Sequence, residues 1–231
     1  MAGLDLSLVH WVALVALGSL VGLDGISWPQ AMISRPIVAG SLGGFLFGDV
    51  TAGFMAGALL EIVSSRHPPY GAARYPETGP AGLVCGAAYA ASSSSELLPL
   101  LIVTLAGWAI GWIGSYSIHL QRSINTSLME NPGAFADSPR SLARRHRLAI
   151  RLDALRAAVI TGALLVPVML AARLAATFEP PADGRLTGAL AAAGIAGLAG
   201  VGARVLGGRK RGWSTFAIGA AIGVILGVVS R

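Results

Sequence analysis

Long apolar runs separated by short polar breaks set the pattern of this chain. Leu4 to Leu23 is long enough to cross a bilayer, which takes about 20 apolar residues. It has no basic flank before it and no cleavage site after it, so it reads as a retained helix, not a signal peptide. His10 and Trp11 near its start suit interface anchoring or a site role. Leu23 to Pro29 is a break, because Pro29 cannot continue a helix without losing a hydrogen bond. From Pro36 to Val63 the chain is apolar but punctuated. Gly40, Gly44 and Gly48 share one helical face, and Gly53 and Gly57 repeat the spacing after Asp49. Two short helices meeting near Gly48-Asp49 fit this better than one long glycine-rich helix with a carboxylate in its middle. Gly79 to Ala91 is apolar but short of a full span, which suits a re-entrant or tilted piece. Ser92 to Ser95 followed by Glu96 reads as a helix start.

Further along, Leu97 to Ile118 is a clear span, with Trp108 and Trp112 one turn apart. The stretch 119–156 is rich in arginine and reads as a hydrophilic cytoplasmic loop, its first part, through Ile124 and Leu128, suited to lie along the interface as an amphipathic helix. A helical region then reaches Phe178. Leu186 to Leu206 and Trp213 to Val229 predict two more spans, with Arg204, Arg209, Lys210 and Arg211 in a second basic loop between them.

Composition sharpens this picture. The chain has 231 residues, of which only 12% are charged, against roughly 25% in soluble domains. Its 31 glycines suit a bilayer, where small residues let helix backbones approach closely. The expected fold is therefore all-α: a polytopic helical membrane protein, 1–231 forming a single integral membrane domain, with short, broken or re-entrant helices in the N-terminal third. The net charge of +6 falls mainly in the two basic loops, so it speaks for membrane topology and anionic lipid contact or partner docking, and against nucleic acid. Cys85 stands alone, which excludes an intramolecular disulfide and a thiolate metal site. No Walker loop, zinc spacing, Rossmann fingerprint or nucleophile elbow is present, and no metal or cofactor is expected.

Candidate chemistry concentrates in 30–77. Carboxylates inside or beside membrane segments are expensive and mark function by default. Glu61 closes an apolar half-helix and Glu77 follows a proline-shaped turn. With Gln30, they are the foremost candidate ligands, because carboxylates and amides offer charge-assisted or bidentate hydrogen bonds. Glu61 has the alternative of neutralisation by Arg35 or by backbone N–H groups. Asp49 also belongs to the candidate set, though a turn residue accepting backbone N–H groups is the competing role. Arg35 suits pairing with a carboxylate or snorkelling to the interface, and His67 is a site candidate whose competing role is a solvated loop residue.

The series Gln30-x-Met32-Ile33-Ser34-Arg35-Pro36, Gly48-Asp49 and Gly57-Ala58-Leu59-Leu60-Glu61 resembles the first half of the membrane IIC subunit of mannose/fructose/sorbose-type bacterial sugar phosphotransferase systems. Gly71-Ala72 and Pro76-Glu77 extend the likeness, although the family commonly has Pro-Asp at the latter position. The resemblance implies a sugar-translocating subunit of the bacterial cytoplasmic (inner) membrane. It would pair with a second membrane subunit, IID, and serve soluble IIA and IIB phosphocarriers, with no phosphorylated or catalytic residue of its own. It also implies a sugar-binding core that moves against a scaffold. Homo-oligomerisation stays open. Two other readings fit the same residues: a sensor or assembly partner of this fold without transport, and an unrelated small-solute carrier.

Overall fold

The computed structural model describes residues 7–27, 29–65, 74–94, 96–130 and 138–178, with Gly188 and Ala221. Among these, six helices and no strand are found: α1 (Leu8–Ile26), α2 (Pro36–Leu46), α3 (Val50–Ser64), α4 (Thr78–Ala91), α5 (Leu97–Glu130) and α6 (Pro139–Ala176). Three of them, α1, α5 and α6, are long and apolar enough to cross a membrane. The two C-terminal spans expected from Leu186 onward, the second basic loop, and the turn holding His67 and Gly71 lie outside the described residues.

The glycine-punctuated run divides where expected. Gly48 adopts a left-handed φ of +79°, and the Asp49 side chain accepts from the Ala52 N–H at 2.8 Å, capping α3. The α2 and α3 backbones then pack face to face. A methyl group built on Gly44 would lie 2.7 Å from the Gly53 Cα, and one built on Gly53 would meet Gly44 equally closely. Any side chain at either position therefore separates the pair. At 11 and 15 residues, the two helices are about 16 and 22 Å long, short of the roughly 30 Å hydrocarbon core.

Helix α4 is the centre of the molecule: all residues from Gly79 to Ala90 are buried. It packs against α1, α2, α3, α5 and α6. Its Ala/Gly-rich composition allows this, since every neighbour can come close.

Three expectations need correction. Helix α1 runs through the anticipated break to Ile26, with Asp24 buried inside it. The serines after α4 first terminate that helix: Ser92 is its C-cap and its hydroxyl donates to the Tyr89 carbonyl. Ser93 turns the chain at φ +52° before α5 begins at Leu97. Most importantly, the stretch read as a loop over 119–156 is helical in its described part. Both arms continue from the spans, and the gap between them covers only 131–137. The physical reason is that the run is built from Arg, Leu and Ala, which are strong helix formers. Ser138 also caps its start, with Pro139 at the first helical position.

Arg145 Nη1 donates to the Leu128 carbonyl at 3.2 Å, and Arg156 Nη1 donates to the Ser117 hydroxyl at 2.9 Å. Moving 11 residues along α6 moves 11 residues back along α5, so the two arms form an antiparallel hairpin in constant register. At 34 and 38 residues they are about 51 and 57 Å long. Each exceeds the hydrocarbon thickness, so the hairpin's Arg-rich end projects beyond it.

Candidate functional site

The loop between α1 and α2 is shaped by one buried carboxylate. Asp24 accepts the Ala31 N–H and, at 2.8 Å, the Ser34 N–H. Within this loop Gln30 and Met32 both take left-handed φ values, +61° and +65°. For side-chain-bearing residues each costs on the order of 1 kcal/mol. The Asp24 hydrogen bonds hold the loop in this shape and set the direction in which Arg35 and Pro36 enter α2.

Arg35 forms an ion pair with Glu61 through Nη2 and Oε1. The other Glu61 oxygen accepts from the Ile37 N–H at 3.0 Å. Thus both alternatives expected for Glu61 are present, a cationic partner and a backbone donor at a helix N-terminus. The pair is not sealed, as the Arg35 and Glu61 side chains are 60% and 22% exposed.

Glu77 is held differently. It immediately precedes α4, and its side chain lies against α5, where Gly114 leaves room: a methyl group there would lie 2.5 Å from Glu77 Oε2. Arg156 donates to both carboxylate oxygens, Nη1 to Oε2 at 2.6 Å and Nη2 to Oε1 at 2.7 Å. This two-pronged geometry is the strong form of an arginine–carboxylate contact. Arg156 also donates from Nε to Asp153 Oδ1 at 3.0 Å. Asp153 Oδ2 in turn accepts from the Ser27 hydroxyl at 2.6 Å, at the end of α1. One chain of polar contacts therefore ties α1, α5 and α6 to the start of α4. Both side chains of the Arg156–Glu77 pair are under a tenth exposed.

The two carboxylates face one cavity. It has a volume of about 290 Å³ and is lined by Arg35, Glu61, Ser64, Tyr75, Glu77 and Thr78, among others. That size lies at the lower end of small-molecule pockets, which run from roughly 300 Å³ upward. The Ser64 hydroxyl is buried and has no hydrogen-bond partner among the described residues. A buried hydroxyl without a partner costs about 1–3 kcal/mol, a penalty that a polar guest in the cavity would relieve. Glu77 keeps capacity to accept as well: a carboxylate offers about four lone-pair positions, and Arg156 occupies one on each oxygen.

Of the residues anticipated from sequence, Glu61, Glu77 and Arg35 come together here. Gln30 is exposed in the strained loop and does not line the cavity. Asp49 caps α3 at the far end of the α2–α3 pair from Glu61, also away from the cavity. His67 lies outside the described residues. The sequence reading missed Asp24, Arg156, Asp153 and Ser64. For Arg156 a signal existed: Asp153 and Arg156, three apart, sit on the apolar side of the arginine run, where a cation needs a buried partner.

Comparison with known proteins gives a family for the chain. The model of one family, described as the sorbose-specific IIC component of the PTS system, matches residues 6–228. A search of curated proteins returned no match.

Proposed function

The chain belongs to the sorbose-specific IIC family of the sugar phosphotransferase system, a family of membrane transport components, and from that premise we propose that it carries a sugar across the bacterial cytoplasmic membrane for phosphorylation by a IIB partner. The observation that supports this best is the shared cavity. Glu61 on α3 and Glu77 just before α4, 16 residues apart, line it together with the Ser64 hydroxyl. Ionised carboxylates held by arginines stay acceptors and cannot rotate away, so they suit adjacent hydroxyls of a neutral sugar. Glu77 is the fixed acceptor, Glu61 the more accessible one at the rim, and Arg35 a donor beside it. The IID subunit and the IIA and IIB phosphocarriers are the partners this reading requires. This chain then supplies the passage and the grip, and the phosphate comes from elsewhere.

The test is radiolabelled uptake of candidate sugars into vesicles carrying this chain with its IID subunit and supplied with phosphorylated IIB. Glu61→Gln is expected to lower uptake at least tenfold while the protein still reaches the membrane, and Asp49→Ala to leave it within twofold. Normal uptake by Glu61→Gln would remove that carboxylate from the site. A wild-type chain that binds sugar without moving it would favour the sensor reading instead.

A further inference from the structure

The outward face of α6 changes character at one point. Leu155, Val159, Leu170 and Leu174 are all exposed, at spacings of four, eleven and four that keep them on one side of the helix. Leu155 to Leu174 covers about 28 Å at 1.5 Å per residue, close to the roughly 30 Å of bilayer hydrocarbon. One turn before Leu155 the same face turns basic. Arg151, Arg147, Arg144 and Arg140 are exposed at spacings of four, three and four. The register of the hairpin brings Arg122 of α5, also exposed, to the height of Arg151. Over 119–130 and 138–152 the two arms carry six arginines against one acidic residue, Glu130 at the end of α5. The next acid along α6, Asp153, is buried and engaged by Ser27 and Arg156.

We propose that Arg147 and Arg151, with Arg122 beside them, form a binding face for anionic phospholipid headgroups. Two observations select lipid as the occupant. These arginines lie about 6 to 12 Å along the helix from a stretch whose apolar part matches the hydrocarbon thickness, so acyl chains lie against Leu155 and Val159 where headgroup phosphates meet Arg151 and Arg147. The excess of positive charge fixes the sign of the headgroup, and guanidinium groups bind phosphate oxygens through paired donors.

Near an anionic surface each arginine is worth about fivefold in partitioning, so removing three should cost on the order of a hundredfold. The experiment uses the full chain purified in detergent. Retained lipid is counted by native mass spectrometry after titration with phosphatidylglycerol or phosphatidylcholine. The wild type should keep phosphatidylglycerol preferentially and lose it as salt rises. The combined change of Arg122, Arg147 and Arg151 to Gln should abolish the preference. The same three changed to Lys should retain most of it, which separates loss of charge from loss of fold. Equal retention of both lipids by the wild type, or an undiminished preference in the Gln variant, would overturn the proposal. So would Gln substitutions that abolish binding of a soluble IIB partner yet leave the lipid preference intact, since the face would then belong to a protein.

Discussion

Replacing Arg156 by Met would remove the only cation among the described residues in contact with two buried carboxylates. In the wild type this guanidinium donates to both oxygens of Glu77 and to Asp153, all within 3.0 Å. Met matches much of its length and apolar stem, so packing is largely kept and the loss is electrostatic. Breaking a buried pair from one side costs about 3–5 kcal/mol, because the remaining charge is stranded. For a chain of this size each kcal/mol shifts the unfolding midpoint by about 2–4 °C, which predicts a fall of about 6–20 °C. The protein carries its own reporter. Cys85 is the sole cysteine and is fully buried in α4, so a thiol-reactive fluorogenic maleimide labels it only when the bundle opens. Neutralising the stranded partners should restore stability. The triple change Arg156→Met, Glu77→Gln, Asp153→Asn is expected to recover at least half of the lost midpoint. If Arg156→Met labels within 2 °C of the wild type (well inside the about 6 °C minimum expected), or if the triple change is no better than the single one, the network contributes little to holding the helices together.

Other substitutions probe separate parts of the fold with the same labelling assay. Gly44→Ala puts a methyl group against the Gly53 backbone and should cost about 1–3 kcal/mol by forcing α2 from α3. Thr161→Val replaces a fully buried hydroxyl that lacks a partner among the described residues, and the midpoint should stay level or rise. Gln30→Gly relieves a left-handed residue and should stabilise by up to about 1 kcal/mol while sugar uptake persists; lost uptake would return the Gln30 amide to the site. Asp49→Ala removes the α3 cap and should cost about 1 kcal/mol, with uptake unaffected.

The all-helical membrane fold was legible because bilayer-length apolar runs have few alternatives, and the α2–α3 division because Gly48-Asp49 carries both a left-handed turn and a cap. Glu61 and its partner Arg35 were also within reach, since each closes or opens a short helix and membrane charges seek partners. The arginine hairpin was not, because a dense run of cations reads as topology before it reads as helix. The competing signals, Ser138-Pro139 and a run of good helix formers, were present and were outweighed. The Glu77–Arg156 contact spans 79 residues, and no local spacing rule reaches that far. Asp24 was taken for part of a break because Pro29 follows it. Its carboxylate instead accepts from the turn, while its own backbone stays in the helix.

The shortness of α2 and α3 bears on what closes the bilayer around them. The cavity sits where α2 begins and α3 ends, and the Gly48-Asp49 tip lies at the opposite end of both rods. Even standing upright, a hairpin about 16–22 Å long leaves roughly 10 Å of the hydrocarbon layer unspanned by its own backbone. Completing the barrier there falls to the neighbours, and among the described helices α1, α5 and α6 have the length and apolar character for it.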